Sequence, residues 1–240
     1  MKRLLPVAAL VALALPSVAW ANHSWGSYHW ARQSNPFTLK LGDNMTTSAW
    51  KSRLATTSSD WSRSTVLDTT VVTGQAHGNC RPTSGRVEVC NGAYGYNGWL
   101  GLAQIWASGS HIAQGTTKMN DTYLNSTRYT DTNKQHVICQ EVGHTFGLAH
   151  QDESGADLNT CMDYSSALDN PSPNQHDYDQ LVTIYSHLDG STTIASTTAS
   201  PGSANGLGRR VSESLFVEDL GNGRTLYTWV VWASPFRMFF

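Results

Sequence analysis

The chain is poor in charge. Of its 240 residues only 14% are Asp, Glu, Lys or Arg, against roughly 25% in an average soluble domain. The 16 basic and 18 acidic residues leave a formal charge of −2, and no run of Lys and Arg gathers along any segment. A phosphate backbone therefore finds no electrostatic footprint, and nucleic acid is excluded as a partner. Beyond the N-terminus no apolar run approaches the roughly 20 residues that span a bilayer, so no membrane partner is expected. Cysteine is scarce too: there are four, Cys80, Cys90, Cys139 and Cys161, and none stands in a C-x-x-C pair. That spacing argues against a cysteine metal site and for disulfides. There is no internal repeat and no coiled-coil heptad, and 240 residues are too few for two large independent cores.

What the N-terminus has is a basic Met1-Lys2-Arg3, an apolar stretch from Leu4 to Val18, and Ala19-Trp20-Ala21 as a small-x-small cleavage site. This pattern predicts a secretory signal peptide over residues 1–21, hence an extracellular or periplasmic protein beginning near Asn22. An oxidising compartment allows the four cysteines three pairings. Cys80–Cys90, closing a short loop between strand ends, and Cys139–Cys161, tying a helix to the turn after it, are favoured.

Phe37-Thr38-Leu39-Lys40-Leu41 alternates as a strand, and Trp50, Leu54 and Trp61 recur at helical spacing after Thr46 and Thr47. Four more strands are expected at Thr65 to Val72, Arg86 to Cys90, Leu102 to Trp106 and His111 to Met119. Ile138, Val142 and Phe146 mark a helix from Gln135 to Phe146 that Gly147 breaks. A last helix is expected from Ser172, with Pro173 at its first position and Tyr178, Leu181 and Tyr185 on one face. Residues 190–208 have the Ser, Thr, Ala and Gly content of a linker. Asn222-Gly223 then signals a hairpin between Arg209 to Glu218 and Arg224 to Trp232. A lone hairpin is marginal in water, so it is expected to pack back on the main body.

The chemistry concentrates in Gln140-Glu141-Val142-Gly143-His144-Thr145-Phe146-Gly147-Leu148-Ala149-His150. Gln140 and His144 lie one helical turn apart, about 6 Å along the axis on one face, so both can reach one ion. Glu141 stands about 100° further round, beside such an ion rather than on it, where a general base is needed. Gly147 lets the chain turn back to bring in His150 as a third ligand.

This stretch, with Met162 and Tyr164 downstream, resembles the metzincin zinc proteases, whose signature is H-E-x-x-H-x-x-G-x-x-H followed by a Met-turn. Glu141, His144, Gly147 and His150 match four of its five fixed positions, and Gln140 stands where the family has its first histidine. The resemblance implies an α+β fold: a twisted, mostly parallel mixed sheet with an antiparallel edge strand, a zinc-site helix and a C-terminal helix. The small C-terminal β-hairpin lies outside it. His111 to Met119 is expected as the edge strand that pairs with substrate. The implied organisation is a signal peptide at 1–21, a catalytic domain at 22–189, a linker at 190–208 and the hairpin extension at 209–240. The implied metal set is Gln140, His144 and His150 around Zn2+, with Met162 as the floor beneath it. Glu141 is implied as general base and Tyr164 as oxyanion stabiliser. Glutamine is a weaker zinc donor than imidazole but equally neutral, so affinity falls while the formal charge of the site is kept.

The function so implied is that of a secreted metal-dependent endopeptidase, a monomer acting on protein or peptide. With no cysteine before Cys80 and no pro-segment of usual length ahead of the domain, activity on export is expected. The alternative expectation is a pseudoprotease, a secreted binding module of the same shape.

Overall fold

Alternating and β-branched segments build one sheet, and helices cover it. The computed structural model describes His23 and residues 26–76, 79–197 and 206–233; the signal segment lies outside these. In chain order the elements are β1 (His29–Trp30), β2 (Phe37–Asn44), α1 (Ser48–Trp61), β3 (Leu67–Thr73), β4 (Val87–Gly92), β5 (Trp99–Ser108) and β6 (His111–Asn120). There follow α2 (Asp121–Leu124), α3 (Asp131–His144), α4 (Gln175–Ile184), β7 (Arg209–Arg210), β8 (Leu215–Gly221) and β9 (Arg224–Trp232). In β2, Phe37, Leu39 and Leu41 face the core while Thr38 and Lys40 face water, the period of two that a half-buried strand imposes.

The strand order is β3-β2-β4-β6-β5-β9-β8-β7, with β1 paired to the start of β6. The pairings among β1, β2, β3, β4 and β6 are parallel. Those linking β6 to β5, β5 to β9, and β9 through β8 to β7 are antiparallel. The fold is thus mixed α+β with a parallel half. Two expectations are corrected by it. The segment His111 to Met119, expected at the edge, lies in β6 between β4 and β5. Nor is the antiparallel β5 an edge, since β9 pairs with it from Trp99↔Trp232 to Ser108↔Arg224. Thr116 and Thr117 of β6 are both fully buried; residue alternation does not encode which strands become neighbours.

Helix starts follow their caps. The Thr47 hydroxyl accepts the Trp50 N–H and opens α1. Thr130 and Asn133 form a reciprocal capping box and start α3 four residues ahead of the expected Gln135. The last helix begins later than the expected Ser172. Its cap is Asn174, whose side chain accepts the Asp177 N–H while the Asp177 carboxylate accepts the Asn174 N–H. A carboxylate completing that box outcompetes Ser172, whose hydroxyl donates instead to Asp60.

α1, α3 and α4 bury Leu54, Trp61, Val142 and Leu181, and the turn after α3 buries Phe146, in one core with Leu39, Leu41 and Ile105 of the sheet. Two buried indole donors find carbonyls: Trp61 Nε1 donates to that of Cys139 at 3.2 Å and Trp30 Nε1 to that of Thr145 at 2.9 Å. Inward residues Tyr227, Trp229 and Val231 of β9 join this core, while Val230 and Trp232 pack on the opposite face with Trp99 and Leu102. The Ser/Thr-rich segment after α4 lies against the body, with Thr193 N–H donating to the Ala31 carbonyl and Ala195 N–H to the Gly85 carbonyl. Both favoured disulfides are present, Cys80–Cys90 and Cys139–Cys161. Among the described residues no helix is long and apolar enough to cross a membrane.

Candidate metal and proton-transfer site

The last turns of α3 carry Gln140, Glu141 and His144, all buried. Gly147 ends the helical run at φ +95°, where a Cβ would also collide with the Tyr28 carbonyl oxygen. The chain then doubles back and sets the His150 ring 4.8 Å from that of His144, edge to face. Nδ1 of His144 faces the Leu148 carbonyl at 2.8 Å. A carbonyl can only accept, so Nδ1 carries the proton and Nε2 presents a lone pair. That Nε2 is buried and has no hydrogen-bond partner.

The Cys139–Cys161 bridge joins the residue before Gln140 to the residue before Met162. Met162 in turn lies so close under α3 that a Cβ on Gly143 would meet its sulfur at 2.5 Å. Two backbone bonds hold the turn to the loop after His150: Gln151 N–H to the Met162 carbonyl at 2.6 Å and Tyr164 N–H to the Asp152 carbonyl at 3.1 Å. The Tyr164 ring thereby stacks on His150, with centroids 4.7 Å apart. Gln140 is fastened to the same turn, its Nε2 donating to the Asp163 carbonyl at 2.8 Å. With the nitrogen so engaged, only Oε1 of Gln140 is left to meet a cation.

Electrostatics sharpen the contrast between neighbours. Burial pushes the Glu141 carboxyl well above the usual carboxylate range, partly offset by the Val231 backbone N–H. Burial also pulls the His144 imidazole well below its ordinary value, with His150 and His23 adding to that and the Leu148 carbonyl opposing it. A neutral imidazole with a bare, buried Nε2 beside a poorly solvated carboxylate suits a divalent cation with its attendant base.

The structure brings His144, His150 and Tyr164 into ring contact and ties Gln140 and Met162 to the turn that carries Tyr164. Two further polar residues that could serve as ligands lie elsewhere: His176 stacks on His23 at 4.6 Å next to Asp177. Asp152 fixes its own loop by accepting the Ser154 and Ala156 N–H groups. Sequence reasoning missed the contribution of the hairpin. Trp229 lies flat on His144 with centroids 4.5 Å apart and 6° between planes, and meets His150 edge-on at 5.0 Å. Ser214 Oγ comes within 3.4 Å of His150 Nδ1. Glu141 lies under Gly101 of β5, where a Cβ would collide with its Oε1. The alternation of Arg224 to Trp232 puts Tyr227, Trp229 and Val231 on one apolar face; only the tertiary structure makes that face the inward one and sets it on His144.

No protein-family model matches the sequence, and no curated protein matches it. Solved structures do match. Myroilysin aligns at 13% identity and TM-score 0.39 over 65% of this chain and 96% of its own. High choriolytic enzyme 1, a hatching-enzyme zinc protease of the medaka fish Oryzias latipes, aligns at 11% identity and TM-score 0.39 over 68% of this chain and 96% of its own. A second myroilysin structure aligns at 12% identity and TM-score 0.37, covering 72% and 98%.

Proposed function

We propose that the chain is a secreted metal-dependent endopeptidase, with its catalytic body in residues 22–189, a linker at 190–208 and a regulatory hairpin at 209–240. The observation that carries this is the bare, buried Nε2 of His144 packed against His150, with Glu141 held on the same helix. His144 and His150, with Oε1 of Gln140, would hold Zn2+, which when bound supplies Lewis acidity to water and to the scissile carbonyl. Glu141 takes the proton of the attacking water and hands it to the leaving amine; a carboxyl raised by burial is suited to both halves of that transfer. Tyr164, stacked on His150, donates its hydroxyl to the developing oxyanion. Met162 supports the site from beneath α3. The substrate is a protein or peptide, and the working unit is a monomer. The paired cysteines agree with an oxidising compartment.

In this reading β9 occupies the place of an extended substrate. It runs antiparallel along β5 and lays Trp229 over His144, so peptide reaches the site only when the hairpin withdraws. A second reading, a pseudoprotease that binds without cleaving, is favoured by the Gln140 amide bond to Asp163. Metal content of the purified mature protein, measured with casein or peptide cleavage by wild type and Glu141→Ala, decides between them. The protease reading expects bound metal in both proteins and cleavage only by wild type. Equal cleavage by both removes Glu141 as base, and bound metal without cleavage, even after the hairpin is displaced, selects the binding module.

A further inference from the structure

Away from α3, three histidines and one carboxylate converge at the far side of the sheet. His29 and His111 are register partners at the start of the parallel β1–β6 pair, so their side chains leave the same face side by side. The segment after α4 swings over them. Asp189 N–H donates to the Arg32 carbonyl at 2.9 Å, and the Arg32 guanidinium holds the His187 carbonyl. As a result Asp189 Oδ1 stands 3.2 Å from His29 Nε2, 3.3 Å from His111 Nε2 and 3.6 Å from His187 Nε2, while the His29 and His187 Nε2 atoms are 3.2 Å apart.

One ligand atom each of His29, His111 and Asp189 lie within 4.8 Å of one another, and His187 Nε2 stands close to His29 and Asp189, the spacing of donors around one ion. Ligand atoms about 2.0–2.1 Å from a zinc ion stand roughly 3.3–3.4 Å from one another. The proton count points the same way. His29 Nδ1 lies 2.6 Å from the Ser27 carbonyl and must donate to it. In neutral His29 the Nε2 lone pair then faces a carboxylate oxygen, a repulsive contact unless a cation or an extra proton lies between them. The surroundings supply what a metal ligand needs: the Ser27 carbonyl fixes the His29 ring, and Arg32 grips the other oxygen of Asp189 through its guanidinium at 2.9 Å and its N–H at 3.1 Å. The His29 and Asp189 side chains are 5% and 8% exposed, whereas those of His111 and His187 are 38% and 51% exposed, which gives an ion a way in.

We propose that His29, His111 and Asp189, with the exposed His187 turning in as fourth donor, form a structural divalent-metal site that takes Zn2+ and clasps β1, β6 and the segment after α4 together. Four protein donors leave no open position, so the site does no chemistry of its own. It is independent of the peptidase reading.

The test uses the full mature chain and Zn2+ alone. Wild type, the double variant His111→Gln/His187→Gln, and the double variant His144→Ala/His150→Ala are stripped with chelator, reloaded and measured for bound zinc and for thermal unfolding. The exposed positions of His111 and His187 make the first variant tolerant of substitution. The clasp predicts that the His144/His150 variant keeps one tightly bound zinc and a zinc-dependent rise in Tm of about 5 °C or more. The His111/His187 variant loses both that ion and that rise. If it retains the zinc stoichiometry and the Tm response of wild type, or if the His144/His150 variant binds no zinc, the cluster is a protonated hydrogen-bond network and the proposal fails.

Discussion

At the residue scale, two neighbours on α3 carry opposite demands. Glu141 is a carboxyl kept out of water under Gly101, and Gln140 is a neutral amide anchored to Asp163. Replacing Glu141 with Gln is expected to lower peptide hydrolysis by about 10²–10⁴-fold with metal content unchanged, read from initial rates and metal analysis. The same substitution has a stability signature. The folded-state carboxyl titrates above its ordinary value of 4.5, so the folded chain binds more protons than the unfolded one at pH values just above that. Wild-type stability therefore falls as pH rises through 4.5 toward the folded value, and is unpenalised below 4.5. In chelator, Glu141→Gln should be more stable than wild type near neutrality and lose that advantage below pH about 4.5; a pH-independent difference between their melting curves would contradict the burial argument. For Gln140→His, the imidazole is the better zinc donor, and the expected outcome is about tenfold or tighter zinc binding in a chelator competition. Unchanged affinity would mean that position 140 does not face the ion.

At the element scale, α3 and the turn bearing Met162 and Tyr164 act as one piece because Cys139–Cys161 joins them across 22 residues. Cutting a loop of that length from the unfolded-state constraint costs about 3 kcal/mol. Cys139→Ala/Cys161→Ala should lose roughly that amount in denaturant unfolding. It should also lose zinc affinity, since Gln140 and the turn would no longer be held in register. A variant that loses stability but binds zinc as wild type does would make the bridge purely a staple. The capping residues tell a related story. Thr47, Thr130 and Asn174 were chosen by which side chain could return a hydrogen bond to its own helix start. That choice explains why α4 opens two residues past the Pro173 that a sequence pattern favours.

At the scale of the whole molecule, the C-terminal hairpin decides whether the sheet has an open strand beside the site. β9 covers β5 along its length, and Trp229 covers His144. Trp229→Ala removes the stacked ring and weakens hairpin docking, so peptide hydrolysis should rise by about tenfold. Protection of the β5 amides in hydrogen exchange should fall in parallel. Rates and protection that both stay at wild-type levels would mean that the hairpin is a fixed part of the sheet and does not gate access.

Much was legible in the sequence because it rests on local physics. The helix through Ile138 and Val142, the break at Gly147, and the inward face of Phe37, Leu39 and Leu41 follow from periodicity and backbone freedom, whereas the cysteine pairing, one of three that the sequence allows, is decided by the fold. The spacing of Gln140, Glu141 and His144 puts them on one helix wherever that helix lies. Tertiary structure alone decided that β6 is interior, that β9 rather than solvent lies along β5, and that Trp229 covers His144. It alone set His29 beside His111, 82 positions on, and brought His187 and Asp189 onto both. These are pairings between distant segments. Their free energy comes from surfaces that exist only once each element has formed, so nothing in the local pattern of either partner records the other.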